Sequence, residues 1–104
     1  MAKNLEKLYL ATRTLVGPGP IKQRLAEAFE ANLEDLDMGE LPEPIHNEFK
    51  ELFDELHSIS PINGESVIWA SVRKMSDKDA DRCAEKIVYL YASVTSPGTA
   101  VAWF

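Results

Sequence analysis

Ile21, Leu25, Ala28, Phe29, Leu33 and Leu36 stand at i, i+4, i+7, i+8, i+12 and i+15. At 3.6 residues per turn this spacing lines six apolar groups along one face of an α-helix. A strand alternates its faces with period two and leaves the same residues scattered. Gly17-Pro18-Gly19-Pro20 precedes the stripe and Asp37-Met38-Gly39 follows it. Proline is tolerated in a first helical turn and glycine suits the left-handed position past a helix end, so this punctuation marks boundaries.

The same pattern recurs on both sides. A first helix is predicted from about Asn4 to Val16, with Asn4 as N-cap and a stripe of Leu5, Leu8, Thr12, Leu15 and Val16. Tyr9 lies at the edge of that stripe. Leu41-Pro42-Glu43-Pro44 is a stiff connection. A third helix follows to about Ser58 on Ile45, Phe49, Leu52, Phe53, Leu56 and Ile59. Ser60-Pro61-Ile62-Asn63-Gly64 reads as a loop. A short fourth helix is expected from about Glu65 to Met75, although the β-branched residues of 66–72 also fit extended chain. Ser76, followed by Asp77 and Asp79, signals the start of a fifth helix. Its stripe is Ala80, Cys83, Ala84, Ile87, Val88, Tyr91 and Val94.

These elements predict an all-α fold, four main helices plus one short helix in an antiparallel, up-and-down-like bundle. The chain has 104 residues, of which 45% are hydrophobic. That suffices for one core, and division would leave pieces too small to bury one. Residues 1–98 are read as a single helical domain and 99–104 as an apolar C-terminal tail. The lone cysteine, Cys83, excludes an internal disulfide and a multi-Cys zinc site. No apolar run reaches the roughly 20 residues of a membrane helix, and the start lacks a secretory apolar region. The expectation is a cytoplasmic protein with no membrane contact.

The net charge of −6 conceals a division. Glu27 to Glu55 holds eleven acids and one base, Lys50, while the remainder carries +4. Acids on the solvated faces of two helices account for this. A basic partner, or association of acidic middle with basic ends, accounts for it more specifically.

Few residues carry chemistry. His46 and His57 are eleven residues apart, three turns and roughly 16 Å along one helix, so they cannot chelate one metal together. Either histidine with carboxylates such as Asp54 would make a polar site, the basis of an alternative reading as a small-ligand or metal-dependent enzyme. Cys83 lies on an apolar stripe, where packing explains it. Glu34-Asp35 and Asp54-Glu55 lie mostly off the stripes, where carboxylates are solvated. Gly17-Pro18-Gly19-Pro20 is no phosphate cradle, since proline removes backbone donors. Arg73, Lys74, Lys78, Arg82 and Lys86 raise the alternative of a regulatory DNA-binding domain using residues 73–86. Interleaved acids leave that run only +1, against the clustered charge phosphates require.

Trp69 falls off the stripe of the fourth helix, and Trp103 and Phe104 end the chain. Large aromatics outside a core mark contact surfaces, so these three are the candidate interface. The reading is a small non-enzymatic protein-interaction or adaptor protein that self-associates as a homodimer or binds another protein. Nothing in the sequence calls for a cofactor.

Leu41-Pro42-Glu43 through Phe49, Ser66-Val67, Ser71-Val72-Arg73-Lys74-Met75-Ser76-Asp77 and Ala84-Glu85-Lys86-Ile87-Val88 together resemble a pattern in small bacterial proteins of about this length with no assigned function. The resemblance covers roughly half the chain. It implies a bacterial cytosolic source and carries no activity, cofactor or catalytic residue with it.

Overall fold

The computed structural model describes residues 2–95. Five α-helices follow in order: α1 Ala2–Leu15, α2 Ile21–Asn32, α3 His46–Glu55, α4 Val67–Lys74 and α5 Asp77–Thr95. Two short 3-10 turns, Met38–Glu40 and Glu43–Ile45, lie between α2 and α3. There is no strand among the described residues.

The long stripe forms the centre. Leu25, Ala28, Phe29 and Leu33 have no exposed surface, and Leu36 is buried with them. Helix α2 packs against α1, α4 and α5, and α5 also receives α1 and α3. Small residues make these approaches close: Ala11, Ala26, Ala28 and Ala80 are wholly buried. Cys83, Ile87 and Leu90 complete the α5 face. A radius of gyration of 13.2 Å matches the value of about 13 Å for a folded chain of about 100 residues.

Several predicted boundaries move. Asn4 is not the N-cap of α1; it lies inside the helix and is 1% exposed. Its side chain is buried because it bonds a distant backbone. Val16 falls one residue past α1 and is 78% exposed. Helix α2 stops at Asn32, although its stripe continues through Leu33 and Leu36. Glu34, Asp35 and Asp37 would have placed carboxylates in a helix C-terminal turn, against the dipole. Leu36 instead donates to the Leu33 carbonyl at 3.2 Å, and the chain turns. Helix α3 ends at Glu55, with Leu56 as its C-cap.

Residues 67–74 are helical. The Ser66 hydroxyl accepts from the Trp69 N–H at 3.1 Å, and Arg73 and Lys74 occupy the last turn, where cations are favoured. Ser76 caps α5 as its sequence predicts, accepting from the Asp79 N–H at 3.0 Å. Asn63 and Gly64 both take positive φ, 57° and 80°, which is the turn chemistry of an Asn-Gly pair.

Candidate functional site: an apolar groove between the α2–α3 connection and helix α3

The groove begins with how residues 34–38 are held. Asn4 Nδ2 donates to the Asp37 carbonyl at 2.8 Å. Lys7 Nζ donates to the Asp35 carbonyl at 3.2 Å and pairs with its carboxylate at 3.3 Å. Both side chains come from α1, so one helix fixes the segment that leaves another. The Asp37 carboxylate accepts from the Gly39 N–H at 3.0 Å and tightens the following turn. Leu36 turns into the core, while Met38 stays 37% exposed.

Facing this segment is α3. The two leave between them a groove of about 410 Å³. Its floor is Leu36, Met38, Phe49 and Phe53, and its rim is Glu34, Lys50 and Asp54. Buried Phe29 supports the floor, with its ring centroid 6.5 Å from Phe49 and 6.0 Å from Phe53.

His57 lies against two lining residues, Phe53 and Glu34. Its ring stacks on Phe53 at 3.9 Å and 18°. Nδ1 lies 2.6 Å from the Phe53 carbonyl oxygen and Nε2 lies 2.7 Å from Glu34 Oε1. A carbonyl oxygen and a carboxylate oxygen both accept, so both bonds form together when both ring nitrogens carry protons. A neutral ring donates to only one of them. The contact ties the end of α3 to the segment after α2 and joins groups 23 residues apart. On the rim, Lys50 pairs with Asp54 at 2.8 Å.

The structure disperses the polar residues singled out from sequence. Asp54 is on the groove rim, and its carboxylate pairs with Lys50 while its carbonyl accepts from the His57 backbone N–H. His46 lies at the start of α3, its Nε2 2.7 Å from the Leu41 carbonyl oxygen. Among the described residues no group of three metal-ligating side chains converges. Trp69 is half-buried and packs against the core. Trp103 and Phe104 lie outside the described residues. Asp54 is the one groove-lining residue that sequence reasoning named as a site; Glu34, Leu36, Met38, Phe49, Lys50 and Phe53 were missed. The spacing of Phe53 and His57, four residues apart at the end of α3, was a usable signal; Glu34 entered only through the Glu34-Asp35 carboxylate pair, which said nothing of its contact with His57.

The basic run is largely matched within the molecule. Arg73 makes a two-pronged pair with Glu65, at 2.7 and 3.2 Å. Arg82 meets Glu55 at 2.6 Å, and Lys86 lies 3.3 Å from Glu51 and 3.6 Å from Glu48. Acids of α3 thus meet Arg82 and Lys86 of α5 in one chain, and a shallow depression of about 260 Å³ is lined by Glu48, Arg82, Glu85 and Lys86. Hydrogen bonding to Glu65 holds the Arg73 guanidinium above its ordinary range, and Glu55 does the same for Arg82. Hydrogen bonding from Arg73 lowers the Glu65 carboxyl. Burial, aided by the charge of Glu55, pushes the Cys83 thiol up to about 12. A thiol so held is not a nucleophile at neutral pH.

Comparison with protein-family models, curated proteins and solved structures finds no match to this chain. Among the described residues no helix is long and apolar enough to cross a membrane.

Proposed function

We propose that the protein is a small, non-enzymatic interaction domain that takes an apolar side chain of another protein into the α2–α3 groove. The observation that carries this reading is the open floor of Phe49, Phe53, Leu36 and Met38 between charged rims. Binding sites combine a concave apolar surface with a few polar groups that orient the occupant, and methionine adapts such a surface to different shapes. The volume lies at the lower end of the range for ligand pockets, about 300–1,000 Å³, which suits one or two large side chains. The alternative of a His–carboxylate enzyme has less support, because both ring nitrogens of His57 already face acceptors.

The test is a titration of nitrogen-labelled protein with N-acetyltryptophanamide, a neutral aromatic side chain. Amide shifts confined to residues 34–38 and 49–57, and abolished in Met38→Ser, are expected. Shifts centred elsewhere, or none, would overturn the reading.

Self-association is a second proposal. It is supported by the exposed apolar surface of Tyr9 and Leu10 on α1 and of Val16 just past its end. Light scattering that finds only monomer at high concentration contradicts it. The free, buried Cys83 fits a reducing, bacterial cytoplasmic setting. The short connection between α1 and α2, which pack against each other, supports reading the helices as an antiparallel, up-and-down-like bundle.

A further inference from the structure

We propose that the segment seated in the groove is basic: a peptide with one large apolar side chain flanked by Lys or Arg. The proposal rests on the groove reading above and adds the chemistry of the partner. It follows from how the acids of residues 27–55 divide between the two sides of α3. On the α5 side, Glu48, Glu51 and Glu55 already meet Lys86 and Arg82. On the groove side they meet far less.

The segment from 34 to 40, of which Glu34, Leu36 and Met38 line the groove, carries Glu34, Asp35, Asp37 and Glu40, all exposed, and no base. Asp54 stands on the opposite rim. The cations facing these five carboxylates are Lys7 on Asp35 and Lys50 on Asp54, and the His57 ring lies against Glu34. Among the described residues no cation pairs with Asp37 or Glu40. The apolar floor is therefore bordered on one side by a segment of four exposed acids and no base, two of which, Asp37 and Glu40, flank the groove residue Met38.

Complementary charge steers encounter and selects among partners. An acidic segment or a phosphate-bearing ligand entering this groove meets like charge. A basic flank can reach the carboxylates while the apolar group rests on Phe49 and Phe53. The apolar anchor supplies contact area and the flanking charges supply orientation, so neither half alone gives the full affinity.

The experiment is fluorescence anisotropy of three labelled peptides with the full-length protein: Trp flanked by Lys and Arg, Trp flanked by Glu, and the basic peptide with Ala for Trp. At low salt the basic Trp peptide is expected to bind about tenfold more tightly than either other one, the sum of several weak screened contacts and one apolar anchor. The margin over the acidic peptide should shrink as salt rises. Glu40→Lys should narrow that margin without altering the response to N-acetyltryptophanamide.

Equal or tighter binding of the acidic Trp peptide would overturn the assignment of a basic partner and leave the groove reading standing. Equal binding of the Ala peptide would overturn both, since the groove would then contribute nothing. Absence of binding by all three overturns the assignment, and the neutral probe then decides the groove reading separately. Groove resonances that move with protein concentration alone would assign the groove to a second copy. Groove resonances that move in Trp103→Ala would assign it to the chain's own apolar end. Either result overturns the basic partner.

Discussion

Replacing Phe29 with alanine tests the core and the groove together. Phe29 has no exposed surface, and its ring lies 6.0–6.5 Å from those of Phe49, Phe53 and His57. Truncation removes the transfer free energy of a buried ring and leaves a void that its neighbours fill only in part; such substitutions cost about 3–5 kcal/mol. Three neighbouring aromatic rings place Phe29→Ala in the upper part of that range, because each well-oriented pair adds about 0.5–1.5 kcal/mol beyond area burial. A domain this size has a total stability of about 5–15 kcal/mol, so the variant is marginally folded. At about 4–8 °C per kcal/mol the melting temperature falls by about 20 °C or more. Urea unfolding followed by far-ultraviolet circular dichroism gives the free energy directly. Phe29→Leu keeps most of the volume and loses mainly the ring contacts, so it should cost less than the alanine variant and serves if that variant does not fold. Val16→Ala, at an exposed position, should stay within about 0.5 kcal/mol of the parent. A Phe29→Ala cost below about 1.5 kcal/mol, or a Phe29→Leu cost equal to it, would refute a packed aromatic core at this position.

Other perturbations separate the remaining interactions. Ser66→Ala and Ser76→Ala each remove a helix cap and should cost about 0.5–2 kcal/mol in chemical unfolding; no loss at Ser76 would contradict the capping bond to Asp79. Arg82→Ala should cost no more than about 1 kcal/mol, with the difference shrinking in high salt, because its pair with Glu55 is partly exposed. Cys83 should resist an aromatic disulfide reagent in the native protein near neutral pH and react at once in urea. Its thiol is stabilised in the protonated form in the fold, so stability relative to Cys83→Ala should fall as pH rises from about 9 towards about 12. Fast native labelling, or the opposite slope, would contradict a buried thiol.

The helical stripes made most of the fold legible. Ile21 through Leu36 and Ile45 through Leu56 each name one buried face, and Ser76 names the start of α5. Such signals are local, since spacing and capping act within a few residues. Asn4 shows where local reasoning stops: an asparagine before an apolar run resembles an N-cap, yet here it reaches the Asp37 carbonyl across the molecule. Val16 continues the stripe on paper but follows the last residue of α1. The groove was legible only in halves. Phe53 and His57 are four residues apart at the end of α3, but Glu34 meets His57 because of how the segment after α2 lies against that end. The pairing of Glu48, Glu51 and Glu55 with α5 depends likewise on which faces the helices turn toward each other. Charge counts show both blocks and neither encounter.

The central claim, that the α2–α3 groove receives an apolar side chain of a basic segment, is tested most directly at Met38. The chain has three methionines. Met38 lines the groove, while Met75 packs against the core. Methyl-labelled methionine would report both in one spectrum as the Lys/Arg-flanked Trp peptide is added. The expected result is a saturable shift of the Met38 methyl, with transferred magnetisation from the indole ring and no change at Met75. A Met38 methyl that stays in place while the peptide binds, or a peptide that does not bind, would contradict the claim.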